Sequence, residues 1–331
     1  MKNDFLVDIV YLWCDGEEPE FLKRKKEYQE ENSEDGNILS TGDIRFFDND
    51  ELKYSLRSLE KNAPWINNIF IITDRQYPKW LNLSNPRIHI VDHSEILPSS
   101  LIPCFNSSVI ERYIALIPDL QEHFLYANDD TFFGEPVKKT FFFSKGNPIV
   151  RVINFNGDTS RYNAEDLPSI KQKSSFWGKS VVNSWELLFS GYNLSKTQLY
   201  ETHHNIDAYT KKAYSECFFR YQDKLNHSMN RFRNERDYQR VLFSMDAVYQ
   251  NTSILKVLPR YSKFRKYLFW LKKLDLDSYY IQDKFKSLLA LSFIHPKLFC
   301  INNSDEINPR DKKYEREFLE NRFPEKSSFE L

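Results

Sequence analysis

Glycine is scarce in this sequence, 8 in 331 residues, against roughly 7 % in ordinary globular proteins. No two glycines are separated by a single residue, so the G-x-G-x-x-G dinucleotide fingerprint is absent. Gly178-Lys179-Ser180 ends like a phosphate-binding loop, but Lys173 stands where its first glycine belongs. A G-x-S-x-G nucleophile elbow is missing as well. The four cysteines, Cys14, Cys104, Cys217 and Cys300, lie far apart and never form C-x-x-C. That argues against a zinc ribbon or a disulfide framework, and they read as buried thiols in a reducing compartment. There is no apolar run of the roughly 18 residues a membrane span needs. Asp4 precedes the first short apolar run, which does not fit a secretory signal, so a cytoplasmic protein is expected. Excess charge is lacking too: 46 Lys and Arg against 47 Asp and Glu give a net charge of −1. A protein built to coat nucleic acid is excluded on that balance, and no nucleic-acid partner is expected.

What is present is a hydrophobic fraction of 41 %, enough for a sizeable core and too much for a disordered chain. The length allows one large domain or two ordinary ones. Phe5 to Trp13 reads as a buried strand that ends at Cys14-Asp15-Gly16. A charged helix follows from about Glu20 to Glu31. Asn49-Asp50 can cap a helix with Leu52, Leu56 and Leu59 on one face. Further strands are expected at 69–73, 87–91 and 123–127, with a helix at 107–117. After about residue 150 the pattern turns helical, with candidates at 172–190, 206–224, 235–250, 263–274 and 311–322. The expected fold is α/β: a mostly parallel twisted sheet with flanking helices over residues 1–150, and a mainly helical part over 151–331. In such sheets ligands sit outside the carboxyl ends of the strands. Asp15, Asp74, Asp92, Asp129 and Asp130 all fall at those ends, which suits a divalent cation and a phosphorylated substrate.

Four short stretches carry chemistry. Asn128-Asp129-Asp130 puts two adjacent carboxylates at a strand end, where a bound Mg²⁺ or Mn²⁺ relieves their repulsion; a plain turn is the bland alternative. In Arg45 to Arg57, the helix start exposes N–H groups and Arg45 and Arg57 offer planar forks for phosphate oxygens. An amphipathic helix with surface ion pairs has the same pattern. His203-His204 offers an imidazole for proton transfer, or else an ordinary loop pair. Arg231-Phe232-Arg233 is a cationic segment, read alone as a solvated face.

Taken together these stretches resemble the Stealth family of sugar-phosphate transferases, which includes bacterial capsule polymerases and the animal lysosomal-enzyme GlcNAc-1-phosphotransferase. Val7-Asp8-Ile9-Val10-Tyr11-Leu12-Trp13-Cys14-Asp15-Gly16 resembles the first family block. The second runs from Arg45-Phe46-Phe47-Asp48-Asn49-Asp50-Glu51 through Phe105-Asn106-Ser107 to Asn128-Asp129-Asp130-Thr131-Phe132-Phe133-Gly134. The third covers His204 to Lys211 with Arg233 to Ser244. The fourth contains Phe299-Cys300-Ile301-Asn302 and Phe323-Pro324-Glu325. Two positions depart from the family. Asn303 stands where an acid is usual, with Asp305 as a candidate substitute, and Ser108 stands where many members have His.

The resemblance implies a nucleotide-sugar transferase core of the GT-A-like kind. It implies transfer of a hexose- or N-acetylhexosamine-1-phosphate from a UDP-sugar to a hydroxyl of an oligosaccharide or lipid-linked acceptor. UMP is then released and a phosphodiester is left in a capsular or cell-surface polysaccharide. Asp129 and Asp130 are implied as Mg²⁺ (or Mn²⁺) ligands, and Asp15 as a donor or metal contact. His204 is implied as the general base and Arg233 as a phosphate contact. Arg45, Asp48, Asn49, Glu51, Arg57, Asn106, Lys211 and Arg231 are implied around the donor. Two rivals stay open: a metal-dependent glycosyltransferase that releases UDP, and an inactive glycan-binding homologue. The basic aromatic segment Lys263 to Leu274 reads either as a peripheral contact with the inner membrane or an anionic polymer, or as a packed helix with snorkelling lysines.

Overall fold

The computed structural model describes residues 5–31, 46, 48–259, 278–282, 288, 289, 291, 292, 294–302 and 308–331. Its centre is a five-stranded sheet, and the charged helix α1 (Pro19–Glu31) follows the first strand. Strands β1 (Val7–Leu12), β2 (Ile69–Thr73), β3 (Ile88–Asp92) and β4 (His123–Asn128) run parallel in the order β4-β1-β2-β3. The fifth, β8 (Asp207–Thr210), closes the β4 edge antiparallel, with Asp207 opposite Tyr126. Parallel strands covered on both faces need mostly apolar side chains, which is why β2 reads as a continuous apolar run and β1 as one broken only by Asp8, whose carboxylate accepts from the Asn68 and Gln121 N–H groups.

The pleat sends alternate residues to two cores. Val7, Ile9 and Tyr11 of β1, with Leu125 and Ala127 of β4, face helix α2 (Glu51–Asn62), which contributes Leu52, Leu56 and Leu59. Val10, Phe70, Phe124 and Tyr126 face the other way. They meet Trp185 of α5 (Phe176–Tyr192), Tyr214 of α6 (Lys211–Arg220) and Phe243 of α7 (Val241–Tyr249). Each of these side chains fully removed from water contributes about 1.5–3 kcal/mol, so the two apolar layers, and not the charged exterior, hold the helices on the sheet.

The mostly parallel sheet with flanking helices is the one the sequence pattern implies. Past residue 150 the structure differs in detail. Residues 207–210, read as the start of a helix, are the edge strand β8; the helix begins only at Lys211. The 172–190 helix is two, α4 (Leu167–Lys173) and α5, broken at Ser174. The helix read over 235–250 is shorter, Val241–Tyr249. The stretch 107–117 is a short helix α3 (Ser107–Ile110) tightening into a 3₁₀ run. Strands also occupy this half: β6 (Asn147–Asn154) lies between β7 (Tyr200–Thr202) and β9 (Ile254–Val257). Further on, β10 (Ser278–Gln282) pairs β11 (Leu298–Asn302), which pairs antiparallel with β5 (Thr131–Phe133). The last helix, α8 (Pro309–Arg322), packs Leu319 against Tyr54 of α2, Phe132 and Phe299.

Candidate active site

Three chain segments deliver acidic groups to the carboxyl edge of the sheet. Leaving β1, Asp15 is held by Gln76: its N–H donates to Gln76 Oε1 at 3.0 Å and its carbonyl accepts from Gln76 Nε2 at 2.9 Å. The turn is tight at Gly16, whose N–H donates to the Phe46 carbonyl at 2.8 Å, and a Cβ there would sit 2.1 Å from that same oxygen. Leaving β4, Asn128-Asp129-Asp130 turns into β5, with the Thr131 hydroxyl donating to the Asn128 carbonyl at 2.6 Å. At the start of α2, Asp48 just ahead of the helix and Glu51 in its first turn approach from the side. Asp50, at the helix start, has a left-handed backbone (φ 65°) and makes no side-chain cap.

These carboxylates crowd one another. Burial, then Asp130, Glu51 and Asp48, push the Asp129 carboxyl well above the usual range. Burial also raises Asp130, to about 7, against an opposing hydrogen bond from Cys300. Asp48 rises to about 8 through burial and the fields of Glu51 and Asp50. Cys14 sits among them, its thiol pushed up by burial and then by Asp129, Asp48 and Asp15. So many carboxylates do not ionise together cheaply without a counter-charge.

The opposite wall is cationic. His203 and His204 diverge. His203 Nε2 lies 2.8 Å from Asp207 Oδ1 and is buried structure. His204, with φ 53°, turns toward the acidic edge. Burial, followed by the nearby Arg240 and Arg233 charges, lowers its imidazole to about 4. It is therefore neutral at neutral pH. Arg233 is half-buried and donates to the Ser107 hydroxyl at 2.5 Å. Arg240, which the sequence reading did not single out, braces this wall. Its guanidinium reaches Glu111 at 3.3 Å and Asp207 at 3.6 Å and lies 4.3 Å over the Tyr126 ring. The Tyr126 hydroxyl lies 2.9 Å from Asn128 Oδ1, which joins the two walls. Cys300 was also missed. Its Sγ donates to Asp130 Oδ2 at 3.3 Å.

Several residues expected at the donor are engaged elsewhere. Arg57 forks onto Glu330, at 2.8 Å from Nε and 2.9 Å from Nη2, and donates to the Phe323 carbonyl at 2.9 Å. That corrects the phosphate-fork reading, since the fork is filled by a carboxylate of this chain. Lys211 Nζ caps the carbonyls of Ile117 and Leu120 at 3.1 and 3.4 Å. Asn49 donates to the Lys312 carbonyl at 3.2 Å and Glu315 at 3.3 Å, tying α2 to α8. Glu51 pairs with Lys312 at 3.8 Å, although its field still reaches Asp129. Arg231 donates to the Ile102 carbonyl at 3.2 Å and lies 4.7 Å over the Tyr28 ring. Arg45, Asn303, Asp305 and Lys263 to Leu274 lie outside the described residues.

Asn106, also expected at the donor, is fully buried. Its amide donates to Asp237 Oδ2 at 2.9 Å and to the carbonyls of Asn230 and Phe232 at 3.2 and 3.1 Å. It thereby fixes the loop that presents Arg233. Asn106→Ala takes a donor from buried Asp237 and is expected to cost about 1–3 kcal/mol. A urea midpoint unchanged from wild type would contradict that role.

The donor set suits a hard divalent cation. Asp129 and Asp130 supply carboxylate oxygens, and Asp130 Oδ1 is buried with no hydrogen-bond partner. A cation bound there would satisfy that oxygen and offset the crowding around Asp129.

Residues 45–150 match the family described as Stealth protein CR2, conserved region 2. The chain is 32 % identical over 242 residues to the capsular polysaccharide phosphotransferase LcbA of Aeromonas hydrophila, a match covering 72 % of this chain and 64 % of that one. It is 27 % identical over 351 residues to the capsular polysaccharide phosphotransferase WcwK of Streptococcus pneumoniae, covering 100 % and 99 %. An exopolysaccharide phosphotransferase of Streptomyces coelicolor is 46 % identical over 146 residues, 43 % of this chain and 24 % of that one. The chain spans 24 %, 64 % and 38 % of the first three curated relatives it matches. Among solved structures, a galactosyltransferase, LgtC, superposes with a TM-score of 0.44 at 8 % identity over 95 % of each chain. The conserved-region match spans α2 to the Asn128-Asp129-Asp130 turn and on into β6, so residues 45–150 carry the Stealth conserved region 2, and beyond it the chain is similar to these capsular polysaccharide phosphotransferases.

Proposed function

We propose that this protein transfers a sugar-1-phosphate from a UDP-sugar to a hydroxyl of a saccharide acceptor, forming a phosphodiester and releasing UMP. The observation that carries the reading is the meeting of the Asp129-Asp130 pair with the neutral His204 imidazole beside Arg233. The names of the relatives, phosphotransferases of capsular polysaccharide and exopolysaccharide, support the same class. The acceptor oxygen bonds to the phosphorus that bears the sugar. The bridging P–O bond breaks, and its electron pair leaves with UMP. The sugar's own C–O bond is untouched, so the anomeric configuration of the donor is kept.

Phosphoryl transfer demands positioning and charge neutralisation more than covalent help. Mg²⁺ or Mn²⁺, held by Asp129 and Asp130, would neutralise diphosphate charge. His204 takes the acceptor's proton, and burial beside two guanidinium groups keeps it unprotonated beforehand. Arg233 holds an oxygen of the reacting phosphate, and Asp15 orients the donor from the β1 end. We place the reaction in the cytoplasm near the inner membrane, where a lipid-linked or growing polysaccharide acceptor is available. Among the described residues no helix is long and apolar enough to cross a membrane.

The test is the nucleotide released from a panel of UDP-sugars with Mg²⁺ and an oligosaccharide acceptor. UMP supports the reading. UDP identifies a glycosyltransferase that moves the sugar alone, and overturns it. His204→Ala is expected to lower kcat by about 10²–10⁴ with donor binding retained. An unaltered kcat removes His204 from the reaction.

A further inference from the structure

We propose that Asp130, His204 and Cys300 form a binding centre for a thiophilic divalent cation, Zn²⁺ foremost, distinct in chemistry from the hard-cation position at Asp129 and Asp130. One ligand atom from each of the three lies within 4.8 Å of the others. No other such group of His, Cys, Asp and Glu occurs among the described residues. The Cys300 Sγ to Asp130 Oδ2 distance is 3.3 Å. A tetrahedral zinc with Zn–S near 2.3 Å and Zn–O near 2.1 Å spans an S···O edge of about 3.6 Å, so this pair is already close to the required edge.

The scaffold holds the three in place by separate means. Cys300 lies opposite Thr131 in the β5–β11 ladder, and the next residue, Ile301, donates its N–H to the Asp130 carbonyl at 3.0 Å. His204 is set by its left-handed backbone just ahead of β8. Asp130 Oδ1 has no hydrogen-bond partner. The set is one sulfur, one imidazole nitrogen and one carboxylate oxygen. Mg²⁺ prefers oxygen alone, whereas zinc accepts all three and commonly keeps a fourth position open in such three-ligand sites. Binding releases the Cys300 thiol proton to solvent and leaves a metal-bound thiolate. The buried thiol is otherwise inert, with its pKa pushed well above the ordinary value by burial and by Asp130.

Cadmium serves as the spectroscopic stand-in. Titrating the purified protein with Cd²⁺ is expected to raise one equivalent of the ultraviolet thiolate-to-cadmium band. Zn²⁺ should bleach it and Mg²⁺ should not. The band should persist in Cys14→Ala, Cys104→Ala and Cys217→Ala and vanish in Cys300→Ala. No band in the wild type, or a full band in folded Cys300→Ala, overturns the proposal. If Cys300→Ala does not fold by circular dichroism, His204→Ala decides, since it leaves the thiol in place. Cadmium affinity should then fall at least about tenfold, the lower end of what even an outer-shell loss costs; unchanged affinity overturns the site. The centre draws on Asp130 and His204, which the transfer reading also uses, so a soft cation bound there excludes the transfer; a protein that binds cadmium through Cys300 yet, freed of it, releases no nucleotide keeps the centre and loses the reaction.

Discussion

An Asp129→Asn protein is expected to melt at a higher temperature than the wild type in cation-free buffer at neutral pH, while losing about 10²–10³ in transfer rate. The two effects share a cause. Burial and the neighbouring Asp130, Glu51 and Asp48 charges raise the Asp129 carboxyl well above its unfolded value. A carboxyl raised in this way favours the folded state fully below the unfolded pKa. That contribution is lost as pH rises toward the folded value, and at neutral pH the unfolded chain has already ionised. The amide removes the penalty and, with it, the oxygen charge that would hold the cation. Mg²⁺ or Mn²⁺ should therefore stabilise the wild type, by about 2.7 kcal/mol at a hundredfold excess over Kd, and leave Asp129→Asn unmoved. Calorimetry with and without cation, alongside nucleotide release, checks both halves. A wild-type protein indifferent to divalent cations, together with an active variant, would remove Asp129 from the site.

Arg57→Ala is expected to cost about 3–5 kcal/mol of stability, because it strands Glu330 as an uncompensated buried carboxylate. The two side chains are 6 % and 2 % exposed, and the fork is bidentate. Against a total of about 5–15 kcal/mol, that loss is severe. Burial pushes the Glu330 carboxyl up. The Arg57 hydrogen bonds and charge, with the Ser327 N–H, pull it down further, and the net position is below the ordinary range. The stabilisation is thus complete above the usual carboxylate pKa and fades as pH falls through the folded value. Arg57→Ala should lower the urea midpoint at pH 7 and flatten the acid limb of the stability profile. Unchanged melting with a raised KM for the donor would instead return Arg57 to phosphate binding.

The four parallel strands were legible because their centres are short apolar runs that end at acidic or amide residues, Asp15, Asp74, Asp92 and Asn128, as strands covered by helices require. Edge strand β8 was not. Asp207-Ala208-Tyr209-Thr210 is too short to display a period of two, and its pairing with β4 depends on residues some eighty positions earlier. The gathering of Asp129, Asp130 and His204 followed from the order of the blocks and from the rule that strand ends face the ligand. Arg57 and Lys211 illustrate the opposite case. A guanidinium or ammonium has the same letter in the sequence whether it meets a phosphate, Glu330 or the carbonyl of Ile117. Cys300 passed as a core thiol because nothing local reveals that its strand neighbour is the Asp130 turn.

The pairing of β5 with β11 also has a consequence in time. More than 160 residues separate Phe133 from its partner Leu298. At about 5–20 residues per second of synthesis, β5 waits roughly ten to thirty seconds for that partner to be made. During that interval the parallel core can close, since its four strands come from the first part of the chain. The unpaired β5 edge, with the acidic turn beside it, stays open to water and to other strands. A nascent chain is therefore expected to hold an assembled parallel sheet well before it holds a complete acidic edge, and anything that shields β5 in that window acts on yield without touching the finished protein.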